Sequence, residues 1–162
     1  MIALHRVIDL DAAPALVWPR LWDVPALARC IPGCEGVETV EPERRYRATI
    51  RDRVGPFRVA IPLDVRVEPA APAGPDGEAR LDITAAGRDS VVGSPVTVTL
   101  AVTVRTRDGG GTRLTLEGQG DVGGKLAALG QGVIERKTRE TLDRFATNLS
   151  ALFIGGQDAA AV

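Results

Sequence analysis

Residues 57–68 alternate between apolar and polar side chains without a break, and this run constrains the fold more than any other segment. The apolar members occupy every second position, at Phe57, Val59, Ile61, Leu63, Val65 and Val67. Because successive side chains of a strand point to opposite faces, the pattern predicts a strand with one buried and one solvated face. Pro62 lies on the polar side, so we expect an edge position or a bulge there.

Weaker alternation of the same kind predicts six further strands, so we expect one antiparallel sheet of about seven strands. These strands are expected near residues 2–10, 37–40, 46–51, 81–85, 96–104 and 114–120. The glycine-rich segment 108–111 predicts a hairpin turn. Residues 69–77 predict a loop, because the segment is rich in proline, alanine and glycine.

Helical spacing of apolar residues occurs after the first strand and again near the C-terminus. Two short helices are expected to begin near Pro14 and Pro25, since proline suits the first turn of a helix. A long helix is expected at residues 124–153, where apolar and charged positions separate onto two faces. We therefore predict a single domain at residues 1–154 and a flexible tail at residues 155–162.

The apolar face of the predicted sheet must be covered, and the C-terminal helix is the long amphipathic element that can cover it. We therefore predict an α+β fold in which a curved antiparallel sheet wraps around that helix. Gly130, Thr138 and Thr141 lie on the predicted inner face of the helix, and Gly118 lies in the last strand. Small residues opposite large aliphatic ones predict a hollow. A close-packed core, in which the glycines only let the elements approach, is the alternative.

A proline–glycine turn separates the second short helix from the next strand, in the segment Cys30-Ile31-Pro32-Gly33-Cys34-Glu35. Pro32 fixes its own φ and Gly33 can adopt a positive φ, so we expect a sharp turn. The two cysteines and the single histidine, His5, are too few for a four-ligand zinc site, and we expect no metal. The cysteines are either two reduced thiols or a redox pair.

Charge and composition argue against nucleic acid as a partner. The 162 residues carry 20 basic and 21 acidic side chains, and aromatic residues make up only 4%. Neither a basic footprint nor a stacking surface is therefore expected. The first ten residues lack the apolar core of a signal peptide, and no stretch approaches the ~20 apolar residues that span a bilayer. We expect a cytoplasmic protein.

Several segments, in the same order along nearly the whole chain, resemble one family. They are Val17-Trp18, Leu21, Asp23, Leu27, the turn at 30–35, Val54-Gly55-Pro56, and residues 118–130, which read Gly-x-Gly-x-x-Gly-Gly-x-Leu-Ala-x-Leu-Gly. Together they resemble the CoxG-like family of carbon monoxide dehydrogenase proteins. That family is part of the SRPBCC or helix-grip superfamily, which includes START domains, the major birch pollen allergen and polyketide cyclases.

The resemblance implies a helix-grip fold and a non-catalytic accessory protein of a carbon monoxide dehydrogenase-type molybdenum hydroxylase. The implied roles are recruitment, assembly or electron-acceptor delivery, with a hydrophobic ligand, a quinone or a lipid, held in the cavity. No catalytic residue and no cofactor other than such a ligand is implied. Many members carry a C-terminal membrane-seeking segment, and this sequence shows none. We therefore expect at most transient contact with the inner face of the membrane.

The predicted cavity would be lined by inward strand positions, the inner face of the long helix and two tryptophans. The candidate ligand contacts are Trp18, Trp22, Ile61, Leu63, Val98, Leu100, Leu116, Gly118, Gly130, Ile134, Thr138, Thr141 and Phe145. The tryptophans either cover the end of the sheet or gate the cavity. The threonine hydroxyls bond either a ligand or the backbone of their own helix.

Two other functions remain open. A cyclase or hydratase would use the same cavity and would need an acid–base pair inside it, with His5 or Asp82 as the residue to examine. An assembly factor that acts only through its surface would instead have a filled core.

Overall fold

The structure is a computed structural model that describes residues 1–71 and 78–161. Within these ranges the chain forms seven strands and four helices. The strands are β1 (Ile2–Leu10), β2 (Cys34–Glu41), β3 (Arg45–Val54), β4 (Phe57–Ala71), β5 (Ala79–Arg88), β6 (Pro95–Thr106) and β7 (Thr112–Val122). The helices are α1 (Pro14–Leu21), α2 (Val24–Cys30), α3 (Gly124–Ala127) and α4 (Gln131–Ala161).

The described strands form one antiparallel sheet in the order β1-β7-β6-β5-β4-β3-β2. β1 and β2 follow one another in the chain but lie at opposite edges of the sheet, and α1 and α2 connect them. The sheet is curved, and the long helix α4 follows its last strand, which confirms the predicted α+β fold class.

β4 contains the uninterrupted alternation and extends further than predicted, over 15 residues. The loop predicted at 69–77 is wrong at its start, because β4 continues to Ala71. The rest of that predicted loop, residues 72–77, lies outside the described residues.

Pro62 lies where β4 changes its partner. Pairing with β5 begins at Leu63, and before that point Ala60 bonds to the loop after β5. The Ala60 amide donates to Asp89 Oδ1 at 2.7 Å, and the Ala60 carbonyl oxygen accepts from the Ser90 amide at 2.9 Å. The proline, which has no amide hydrogen, therefore falls at the end of a hydrogen-bond ladder, as expected for an edge position.

β2 is longer than the predicted strand at 37–40. Its register with β3 shifts between Glu35 and Glu38 and again between Thr39 and Glu41. Such bulges interrupt the period of two on which the sequence pattern depends. This irregularity explains why the sequence predicted only a short strand here.

The C-terminal helical region differs from the prediction at both ends. A break at residues 128–130 separates α3 from α4, and Gly130 adopts a φ of +97° there. A single helix from residue 124 is therefore wrong, because a left-handed residue ends a right-handed helix. α4 continues to Ala161, past the predicted end at residue 153. The division into a domain at 1–154 and a flexible tail at 155–162 stays a prediction.

The proline–glycine turn has the predicted geometry. Gly33 adopts a φ of +79°, and its carbonyl oxygen accepts a hydrogen bond from the Arg51 amide at 2.9 Å. A Cβ at Gly33 would lie 2.1 Å from the carbonyl oxygen of Arg51. Glycine is therefore required both by the backbone angle and by the close approach of β3.

The two cysteines flank this turn as free thiols. The Cys30 thiol is buried and donates to the carbonyl oxygen of Ala26 at 3.6 Å, whereas Cys34 is half-buried. Burial raises the pKa of both thiols, and the charge of Glu35 raises the pKa of Cys34 further. A raised pKa lowers the thiolate fraction at neutral pH, which favours two reduced thiols over a redox pair.

We expect Gly33→Ala to lower the free energy of unfolding more than Gly36→Ala does. Both glycines have a positive φ, of +79° and +62°, which costs alanine about 1–2 kcal/mol at either position. Only the alanine at 33 would also meet the Arg51 carbonyl, since no described atom lies within 4 Å of a Cβ at Gly36. Thermal unfolding measures the difference, at roughly 2–4 °C per kcal/mol. Equal melting temperatures for the two variants would contradict the close contact.

In a Cys30→Ala background, alkylation of Cys34 should begin at a higher pH than for a free cysteine, whose pKa is about 8.5. Only the thiolate reacts, and its formation is opposed first by burial and then by Glu35. Glu35→Gln should move the rate–pH profile to lower pH, while the control Glu38→Gln should leave it in place. Identical profiles for Glu35→Gln and the parent would show that the Glu35 charge does not act on this thiol.

Candidate ligand-binding site

The apolar core consists of two clusters at opposite ends of the described sheet. The first lies nearest α1 and α2, and its most deeply buried members include Leu10, Val17, Val104, Leu114 and Leu149. The second lies nearest α3 and consists of Ile2, Leu4, Val59, Leu126 and Ile134. Leu100 of β6 is half-buried and packs against both clusters.

α4 is attached to the sheet along two sides. Its backbone lies close to β1 on one side and to β3 on the other. Asp143 of α4 forms an ion pair with Arg6 of β1, and Lys137 forms an ion pair with Asp52 of β3 at 2.9 Å. The side-chain amide of Asn148 also donates to a backbone carbonyl oxygen of α2, at 3.0 Å. The helix is therefore anchored on either side of the middle strands.

The middle strands present a strip of apolar side chains that stay half-buried on the face that carries both clusters. This central strip consists of Ile61, Leu63, Ile83, Ala85, Val98 and Leu100. Cross-strand pairing places Ile83 opposite Leu100 and Ala85 opposite Val98. On the same face but nearer the end of the sheet, Val102 is only 6% exposed. The middle of this face is therefore less tightly covered than its ends.

The predicted ligand contacts fall into several groups. Four of them, Ile61, Leu63, Val98 and Leu100, belong to the central strip. Leu116 and Ile134 are buried members of the first and second clusters, at 5% and 7% exposure, so they act as core residues. Phe145 is half-buried and packs against the first cluster. Their role in contacting a ligand stays a prediction.

Trp18 and Trp22 form an edge-to-face pair, with ring centroids 5.9 Å apart and planes at 85°. Both indoles are half-buried and pack against the first cluster. Such packing matches the simpler of the two interpretations, in which the tryptophans cover one end of the sheet.

The small residues of the predicted inner helix face have structural partners. The hydroxyls of Thr138 and Thr141 donate to the helix carbonyl oxygens of Ile134 and Lys137, at 2.8 and 2.9 Å. Gly130 is exposed in the turn before α4, so its predicted place on the inner face of a helix is wrong.

Gly118 allows two strands to approach one another. A Cβ at this position would lie 1.9 Å from the carbonyl oxygen of Thr99 in β6. The glycine therefore supports the alternative in which small residues permit close contact between elements.

The motif turn joins four elements. Pro32 is half-buried, Gly33 bonds to β3, and Glu35 forms an ion pair with Arg51. Asn148 of α4 reaches the carbonyl oxygen of Cys30. The segment 30–35 thus ties α2, β2, β3 and α4 together and acts as a structural junction.

The sequence prediction missed the ion pair between Asp52 and Lys137. Asp52 occupies an inward position of β3, next to Ile50 and Val54 in the period of two. The predicted strand ended at residue 51, so the alternation was not followed as far as Asp52. Extending it by three residues would have placed a carboxylate on the apolar face.

His5 and Asp82, the residues examined for an acid–base pair, face away from α4. His5 is exposed on β1, opposite Glu117, and Asp82 pairs with Arg80 at 3.2 Å. Among the described residues, no group of three histidine, cysteine or acidic side chains is arranged to hold a metal ion. No helix within residues 1–71 and 78–161 combines the length and the apolar character needed to cross a membrane.

Solved structures with a similar fold come from several organisms. A conserved protein from Geobacillus kaustophilus aligns with a TM-score of 0.74 and 21% identity, over 96% of each chain. A START superfamily protein from Mycobacterium smegmatis aligns with a TM-score of 0.68 and 10% identity, over 96% of this chain and 99% of the other. The Zhui aromatase/cyclase from Streptomyces sp. R1128 aligns with a TM-score of 0.56 and 17% identity, over 99% and 95%. These likenesses show the helix-grip fold.

Comparison of sequences places the chain more narrowly. No curated protein sequence matches it significantly. The model of the carbon monoxide dehydrogenase CoxG family matches residues 7–153 and so covers most of the chain. The chain therefore belongs to the CoxG family of carbon monoxide dehydrogenase proteins.

Proposed function

We propose that this protein binds a hydrophobic small molecule, a quinone or a lipid, between α4 and the central strip. In this proposal it is a non-catalytic accessory protein of a carbon monoxide dehydrogenase-type molybdenum hydroxylase. The observation that carries the binding function is the half-buried state of the central strip between two closed apolar clusters.

Apolar surface that faces the inside of a domain yet remains accessible is unfavourable without a guest. Each Å² of such surface costs about 25 cal/mol in contact with water. Ala85 has a small side chain in the middle of the strip, where a larger one would cover its neighbours. A flat or elongated apolar ligand in front of the strip would remove this surface from water, as in other concave, mostly apolar sites.

The placement of titratable groups favours binding over catalysis. The cyclase or hydratase hypothesis depended on His5 or Asp82 lying in the cavity, and both lie on the opposite face. The surface-only assembly hypothesis depended on a filled core, whereas the central strip is only partly covered.

Family membership supports the choice of partner and of location. Members are associated with molybdenum hydroxylases, so the proposed partner is an enzyme of the carbon monoxide dehydrogenase type. The ligand would serve recruitment, assembly or the delivery of an electron acceptor to that enzyme. The proposed place of action is the cytoplasm, with transient contact at the inner face of the membrane during ligand exchange.

We expect Ala85→Phe to weaken the binding of decylubiquinone about tenfold, a loss that a single misplaced side chain can produce. The phenyl ring would occupy the space in front of the central strip. Ala86→Phe is the matched control, because the adjacent side chain is exposed on the other face of β5. Quenching of the fluorescence of the two tryptophans, Trp18 and Trp22, measures the affinity.

Thermal unfolding of the same two variants separates a hollow from a packed core. A phenyl ring forced into a filled interior costs about 1–3 kcal/mol, whereas one that enters free space leaves the melting temperature unchanged or raised. A strongly destabilised Ala85→Phe, or a wild-type protein that does not bind decylubiquinone, would contradict the proposed function.

A further inference from the structure

We propose that Lys137 and Asp52 form the polar end of the ligand site and select a neutral ligand that carries a carbonyl oxygen. This inference rests on the proposed function above. It assigns a chemical role to an ion pair that neither the fold nor the motif turn requires.

The pair is close, inward and still open to a further partner. Lys137 Nζ lies 2.9 Å from Asp52 Oδ1, and the two side chains are 27% and 26% exposed. The Asp52 Oδ1 atom also accepts from the Arg53 amide at 2.7 Å. An ammonium group has three hydrogens to donate, and Asp52 accepts only one of them in this contact. The partial exposure leaves the other hydrogens of Lys137 accessible to a ligand.

The position of the pair matches the end of the central strip. Asp52 lies opposite Val59 in the β3–β4 ladder, and the next inward pair along that ladder is Ile50 with Ile61, a member of the strip. On α4, the Lys137 carbonyl oxygen accepts from Thr141, one turn further along the helix. A ligand lying along the strip would therefore bring one of its ends to Lys137.

Charge balance decides which head group fits. Asp52 already neutralises Lys137, so the pair presents a hydrogen-bond donor without a net charge. A carbonyl oxygen accepts from the ammonium without displacing Asp52. A carboxylate or phosphate would have to share Lys137 with Asp52, and the two anions would repel one another. The site should therefore prefer a quinone or an ester to a fatty acid.

Three probes and three variants test this inference. The probes are decylubiquinone, laurate and the neutral, carbonyl-free N-phenyl-1-naphthylamine. The variants are Lys137→Met, which keeps most of the apolar stem, Asp52→Asn, and the control Arg136→Met on the exposed side of α4. Fluorescence titration gives the affinities, and thermal unfolding checks that each variant is folded.

Lys137→Met should bind decylubiquinone about tenfold more weakly, as expected for the loss of one charge-assisted hydrogen bond, and should bind the naphthylamine normally. Asp52→Asn should keep its decylubiquinone affinity within about twofold, because Lys137 still donates. The same variant should bind laurate about tenfold more tightly, because the site gains a positive charge. Arg136→Met should behave as the wild-type protein does.

Equal losses for all three probes in Lys137→Met and Asp52→Asn would overturn the inference and leave the pair as a structural link between α4 and β3. Unchanged decylubiquinone affinity in Lys137→Met would overturn it as well. A wild-type protein that binds none of the probes would instead refute the proposed function, and the inference with it.

Discussion

The attachment of α4 at two sides of the sheet, with the middle strands between, determines the shape of the interior. Ion pairs that are partly exposed, such as Arg6–Asp143, contribute only about 0–1 kcal/mol each. The position of the helix is therefore set mainly by the apolar clusters near its two ends. A helix fixed at its ends cannot move down onto the central strip without breaking one of those clusters. The half-buried state of Leu63 and Ala85 follows from this geometry.

Polar groups close the two ends of the interior and make the clusters there rigid. At the α3 end, the buried carboxylate of Asp89 accepts from the Ala60 amide at 2.7 Å and from two amides of its own loop. At the other end, the buried hydroxyl of Thr112 donates to the carbonyl oxygen of Ala12 at 2.6 Å. Removing one partner of such a bond leaves a buried polar group unpaired, at a cost of about 1–3 kcal/mol. The ends are thus held in one arrangement, and room for a guest lies between them.

Most of the sheet could be predicted from the sequence, because a strand with one buried face shows a period of two. β4 is the clearest case. β2 was underestimated because its bulges shift that period, and the α3–α4 break was missed because glycine positions alone do not show which residue becomes left-handed. The inward set of residues was largely right. Which of them are packed, like Leu116, and which stay accessible, like Leu63, depends on where α4 lies. Asp52 was missed because the predicted strand ended one residue before it.

The proposed function requires space between α4 and the central strip that an apolar ligand can fill. A crystal structure of the protein grown with decylubiquinone is the decisive test of this requirement. We expect electron density for the decyl tail against Leu63, Ala85 and Val98, with the quinone ring toward Lys137. A structure in which α4 side chains interdigitate with the central strip, with the quinone absent or bound on the outer face of the sheet, would refute the proposed binding site.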